Sequence, residues 1–203
     1  MQVNLNPRDF LQKESSVLVE PTPYQTAGPF YPGIEHFTRG NDLTQSVGPS
    51  PEGDVIQIHV RVQDTRKRPL AGARVEIWQA CASGKYHHVE DPNTAALDPQ
   101  FGYWGESMTD ESGECLFQTI VPGVYPADKD WDRPPHVHFK VAKDGYRDVV
   151  TQMYFKDHPL NFIDQILLEV PTHLRDSLIV DFQPTPHNPT IQSGHFTLTL
   201  QRA

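Results

Sequence analysis

Seven consecutive residues, Ile56-Gln57-Ile58-His59-Val60-Arg61-Val62, alternate apolar and polar side chains without a break. A strand turns successive side chains to opposite faces, so this run offers one face to a core and one to solvent. The pattern returns along the chain. Val137, Phe139 and Val141 alternate with His136, His138 and Lys140, and Phe196, Leu198 and Leu200 alternate with His195, Thr197 and Thr199. Asp148 to Phe155 and Leu178 to Phe182 are apolar and β-branched enough to form further strands. Between such runs, 19 prolines and 13 glycines cut the chain into short segments. Helical signal is confined to a turn or two at Asp9 to Lys13, after Pro7, and at Asn161 to Glu169. Strands at short spacing with turn residues between them predict an all-β fold: an antiparallel β-sandwich with long loops and a few short helices.

A chain of 203 residues, 37% of them hydrophobic, is enough for one domain with a sizeable core. Residues 1 to 53 read as an N-terminal arm that packs on the sandwich or on a neighbouring subunit, and residues 54 to 203 as the sandwich core. The arm ends in a long loop, Thr38 to Gly53, rich in Gly, Ser, Pro and Asn. The formal net charge of −9 argues against nucleic acid or an anionic membrane as partner, because phosphate attraction needs clustered Lys and Arg. Only Arg66-Lys67-Arg68 forms a basic run, and it sits beside Pro69 and Gly72 in what reads as a solvated turn. Cys81 and Cys115 lie among apolar or small neighbours and read as two reduced thiols. With no apolar segment of signal-peptide type and no run near the roughly 20 apolar residues that span a bilayer, a soluble cytoplasmic protein is expected.

Chemistry concentrates in Trp131-Asp132-Arg133-Pro134-Pro135-His136-Val137-His138-Phe139. Two residues apart on a strand, His136 and His138 share a face, where two neutral imidazoles can meet one metal ion. Taken alone, His-x-His also suits a pair of surface histidines. Further ligands are open at this level. No cysteine or carboxylate stands at zinc-motif spacing. A facial Fe(II) triad would take its carboxylate from Asp110, Asp130 or Asp132. Tyr86 and Tyr125, in turn-rich loops, offer phenolate, a hard anionic donor whose proton a trivalent ion displaces.

Pro122-Gly-Val-Tyr125-Pro followed by Arg133-Pro-Pro-His136-Val-His138-Phe resembles the iron-binding signature of the intradiol ring-cleavage dioxygenases, and most of all that of the iron-bearing chain type of the protocatechuate enzymes. The likeness extends through Ala73-Arg-Val-Glu-Ile-Trp78-Gln-Ala, Ser83-Gly-Lys-Tyr86-His-His, Asp98-Pro-Gln-Phe101-Gly, Thr109-Asp110-Glu-Ser-Gly113 and Thr151-Gln152-Met-Tyr-Phe155, in the family order. This resemblance implies a ferric ion, Fe(3+), held by Tyr86, Tyr125, His136 and His138, with Tyr125 as the displaced base. It implies an active-site arginine at Arg133 and a glutamine near the substrate at Gln152. Thr22-Pro-Tyr-Gln-Thr26-Ala-Gly-Pro29-Phe-Tyr-Pro32 resembles the pocket segment of the other, iron-free chain type, which places Gly28, Pro29 and Phe30 beside the substrate. One polypeptide carrying both features implies a homo-oligomer. Substrates of such an enzyme are a small aromatic diol and O2. Phe30 stands where the family has tyrosine, and Ala127 where tryptophan commonly follows the Tyr-Pro pair, so the catechol is not named by the resemblance. Two other readings keep the fold and change the chemistry: an Fe(II) oxygenase using His136, His138 and an aspartate, and a non-catalytic transthyretin-like binding module.

Overall fold

The computed structural model describes residues 18–33, 40–45 and 48–203. Eleven strands follow in chain order: β1 (Val55–Asp64), β2 (Arg74–Trp78), β3 (Trp104–Met108), β4 (Glu114–Ile120), β5 (Tyr125–Asp128), β6 (Trp131–Arg133), β7 (His136–Ala142), β8 (Val149–Phe155), β9 (Ile179–Val180), β10 (Gln183–Pro184) and β11 (Gln192–Leu200). They form a four-stranded sheet, β10-β11-β1-β4, a five-stranded sheet, β3-β2-β7-β8-β9, and a two-stranded ribbon, β5-β6. The sandwich core lies between the two large sheets. Ile56, Ile58, Val60 and Val62 of β1 meet Val75, Ile77, Val137, Phe139 and Val141 of the other sheet there, every one of them at most 1% exposed. Each such side chain contributes about 1.5–3 kcal/mol of burial.

Not every pairing is antiparallel. β1 pairs with β11, and β8 with β9, in parallel. A parallel pair needs a long crossover, and between β1 and β11 the whole second sheet provides it. The expected strand Leu178 to Phe182 contracts to Ile179–Val180, because Leu178 closes a 3-10 turn, Asp176–Leu178. Asn161 to Glu169 resolves into the end of a 3-10 turn, Pro159–Phe162, and helix α1 (Gln165–Glu169); α2 (Thr172–Arg175) follows. The turn expected at Asp9 to Lys13 lies outside the described residues. None of the described helices is long and apolar enough to cross a membrane, and both cysteines are free.

Residues 18–33 run along the sandwich. Val19 N donates to Thr65 O, Thr22 N to Thr199 O and Gln25 N to Val150 O, so the segment passes from the β1–β11 sheet to β8. That path brings Gly28 and Phe30 over the outward face of β7.

Candidate functional site

β7 has two buried faces. On the face away from the sandwich core, His136 and His138 are 3% and 4% exposed. Their neighbours in register are Trp78 on β2 and Gln152 on β8 for His138, and Tyr154 on β8 for His136. The Trp78 ring stacks flat on His138, with centroids 4.8 Å apart and planes 8° apart. His136 Nδ1 lies 2.8 Å from Pro134 O. A carbonyl only accepts, so Nδ1 carries the proton and the Nε2 lone pair is left for another partner. Burial, reinforced by the nearby Arg133 charge, holds both histidines well below 6.5, and both are neutral imidazoles.

Two loops bring the tyrosines together. Gly84 has φ +80°, and a Cβ there would lie 2.1 Å from Val124 O; one on Gly123 would lie 2.4 Å from Ala82 O. Only glycine lets the two backbones approach so closely. The contact sets Tyr86, two residues past Gly84, against Tyr125, two past Gly123: their rings are 5.5 Å apart, edge to face. Asp91 braces the first loop, its Oδ2 accepting from Tyr86 N at 2.6 Å and its Oδ1 from Asn93 N at 2.8 Å. Tyr86 Oη is 3.0 Å from His136 Nε2. Burial pushes the proton affinity of both phenols upward, against the pull of Arg133. Without a cation to face, either phenolate would be costly here.

Arg133 stands opposite Tyr125 in the β5–β6 ribbon and is 5% exposed. Its partner is not a neighbouring surface aspartate. Nε donates to Asp164 Oδ1 at 3.0 Å and Nη2 to Asp164 Oδ2 at 3.1 Å. Nη2 also donates to Gln152 Oε1 at 2.7 Å, and Nη1 lies 3.2 Å from His136 Nε2. Asp164 has no exposed surface and caps α1, accepting from Leu167 N. In sequence an aspartate before a helical stretch signals a cap, but nothing there announces its second partner 31 residues upstream. Gln152 is engaged at both ends of its amide, since Nε2 donates to Thr26 O at 2.9 Å. Gln152 thus ties Arg133 to the N-terminal segment.

Above this floor lies the N-terminal segment. Gly28 has φ +67°, and a Cβ there would lie 3.5 Å from His138 Cε1. Phe30 is buried, its ring 5.1 Å from Tyr86, 5.6 Å from Tyr125 and 5.5 Å from His88. Pro29 between them is exposed. Tyr31 anchors the segment, its hydroxyl donating to the buried Glu76 at 2.5 Å and its ring lying edge-on to Trp78. Tyr86, Tyr125, His136, His138 and Arg133 thus converge under Gly28 and Phe30. Asp110, Asp130 and Asp132 are all exposed. Among the described residues, no group of three or more His, Cys, Asp or Glu is placed to hold a metal ion.

Residues 26–201 match the dioxygenase family. The chain is also 39% identical over 161 residues to the protocatechuate 3,4-dioxygenase beta chain of Burkholderia cepacia, covering 76% of this chain and 66% of that one. This chain belongs to the intradiol dioxygenase family. Among other intradiol dioxygenases, catechol 1,2-dioxygenase of Candida albicans is 29% identical over 172 residues, covering 77% of this chain and 52% of the relative. The chain thus spans about half to two thirds of the length of these curated relatives. A solved structure of the dioxygenase domain of a dioxygenase carbohydrate-binding protein fusion from Streptomyces sp. SirexAA-E superposes with a TM-score of 0.69 at 26% identity, covering 91% of this chain and all of that one.

Proposed function

We propose that this chain is a non-haem ferric intradiol dioxygenase. It cleaves a catechol-type ring between the two hydroxylated carbons and inserts both atoms of O2 to give a muconate-type diacid. The observation that carries the proposal is the convergence of Tyr86, Tyr125, His136 and His138 beneath Phe30, with Tyr86 Oη 3.0 Å from His136 Nε2. The donor set fits a trivalent ion: two neutral imidazoles and two phenols whose ionised forms need a cation beside them. His138 Nδ1 is buried with no hydrogen-bond partner among the described residues, and Trp78 stacks on its ring. A ferric ion held by these four donors would supply a Lewis acid that stabilises an ionised catechol and makes its ring reactive toward O2.

The remaining roles fall to the protein's own groups. Tyr125 starts the short β5–β6 ribbon, and its Oη takes up a catechol proton as the substrate arrives. Arg133 directs Nη1 toward the ring, where it matches negative charge developing there. Phe30, Trp78 and Tyr86 exclude water from the reacting face. Phe30 in place of a hydroxylated ring favours a catechol lacking a polar substituent at that end. The pocket segment and the donor set lie on one polypeptide, which favours a homo-oligomer with no second chain type. The two free thiols suit a reducing cytoplasm.

Iron analysis, visible absorption and oxygen uptake on a panel of catechols test the proposal together. The expected result is bound iron, a tyrosinate-to-iron band that both Tyr86→Phe and Tyr125→Phe alter, and a ring-opened diacid as product. Bound iron with no such band, or a band indifferent to both substitutions, would sink it.

A further inference from the structure

Arg133 has five N–H donors, and their distribution is uneven. Asp164 grips Nε and Nη2 with its two carboxylate oxygens, at 3.0 and 3.1 Å. Gln152 Oε1 takes the second Nη2 proton at 2.7 Å, shared with Tyr154 Oη at 3.2 Å. Nη1 alone is turned toward the tyrosines and histidines, and its contact there, His136 Nε2 at 3.2 Å, is an atom the proposed function assigns to the metal. With Nε2 so occupied, Nη1 has both protons available to the site.

A single acceptor such as Gln152 Oε1 cannot define the plane of a guanidinium. A carboxylate held fork to fork can, because two parallel N–H···O bonds remove rotation about the terminal bonds. Asp164 is itself immobile: it is fully buried, and its Oδ2 also accepts from Leu167 N in the first turn of α1. That turn is tied to the N-terminal segment, since Gln25 Nε2 donates to Ile166 O at 3.4 Å and Gln25 Oε1 accepts from Gln152 N at 3.0 Å. Asp164 also balances the Arg133 charge, so the pair enters the buried site without net charge.

We propose that Asp164 is a positioning residue for the ring-cleavage reaction, holding Arg133 in the one orientation that leaves Nη1 free for the substrate. This rests on the function proposed above. It gives the segment between β8 and β9, which contributes none of the four proposed ligands, a part in the chemistry.

A double-mutant cycle on the iron-loaded enzyme tests it, with kcat, KM and the visible band read for wild type, Asp164→Asn, Arg133→Gln and the double variant. Asparagine still caps a helix. Asp164→Asn is expected to keep the band and a KM within about threefold, while kcat falls about 10- to 100-fold, as a misplaced group near 1 Å off would cause. In the Arg133→Gln background the same change should alter kcat less than about twofold, because the group it positions is gone. Losses that multiply instead would overturn the proposal. Should Asp164→Asn fail to fold, Asp164→Glu retains the charge: reduced kcat with unchanged KM and band supports positioning, and wild-type kcat overturns it. An iron-loaded wild type that opens no catechol ring overturns the function and this role with it. An active wild type with multiplying losses removes only the role of Asp164.

Discussion

On one face of β7, Val137, Phe139 and Val141 are wholly buried among aliphatic and aromatic side chains of both sheets. On the other, His136 and His138 are almost as buried, yet every neighbour is there for its direction: a stacked indole, a backbone carbonyl, a phenol, a guanidinium. The first face is held by a non-directional effect proportional to area. The second is held by polar groups whose loss leaves orphans in a low dielectric. One strand therefore separates what stabilises the fold from what performs chemistry, and the two faces should fail in different ways.

Substituting across β7 exposes the separation most sharply. His138→Ala should lower ring cleavage by more than the roughly 100-fold that loss of a metal site's outer partners costs, with a smaller loss of stability than a core truncation. Phe139→Ala, one residue away, should cost about 3–5 kcal/mol of stability and leave kcat per folded molecule intact. Denaturant titration and steady-state oxygen uptake on both proteins check this. Comparable damage by both variants to both properties would erase the distinction between the faces.

The faces also differ in their response to acid, since only one carries titratable groups. His136 and His138 are held well below 6.5 in the folded protein and return to that value when unfolded. Below pH 6.5 the unfolded chain binds more protons, so stability is lost as pH falls and is fully present above it. The slope should approach about 1.4 kcal/mol per pH unit for each histidine. Metal-free protein titrated with urea between pH 7.5 and 5 should show it, and His136→Gln should remove about half. A flat profile would mean that the histidines are not buried neutral.

A smaller effect is expected above the site. At φ +67°, Gly28→Ala should cost about 1–2 kcal/mol. Because the new methyl would sit 3.5 Å from His138 Cε1, KM for catechol should rise while the visible band is unchanged. Steady-state kinetics and a melting curve check both. A band that moved would place Gly28 in control of the ligand geometry rather than of the substrate.

Legibility in the sequence follows the range of the interactions involved. Period-two alternation marks β1, β7 and β11 because each strand's register with water is a local property of its residues. The same alternation puts His136 and His138 on one face. It cannot say that β11 lies parallel to β1, since that depends on the route of more than a hundred intervening residues. Nor can it say that both faces of β7 are covered, so the polar face reads as solvent-facing until the loops and residues 18–33 are in place. Tyr86 and Tyr125 were legible only through ordered resemblance; their meeting depends on a backbone contact between Gly84 and the Gly123–Val124 peptide. Asp164 was missed altogether. Asp130 and Asp132, beside Arg133 in sequence, are exposed, and the structure turns Arg133 inward to Asp164 instead.

By itself, then, the sequence determined an all-β sandwich, the pairing of two histidines on one strand face and the ordered set of residues that resembles an intradiol site. These rest on periodicities of two residues and on motifs of a few. Only the tertiary structure decided that the polar face of β7 is buried and that the two tyrosine loops touch. It alone placed Phe30 against both tyrosines and locked the guanidinium on Asp164. Each of these depends on segments far apart in the chain, brought together by the burial of other residues.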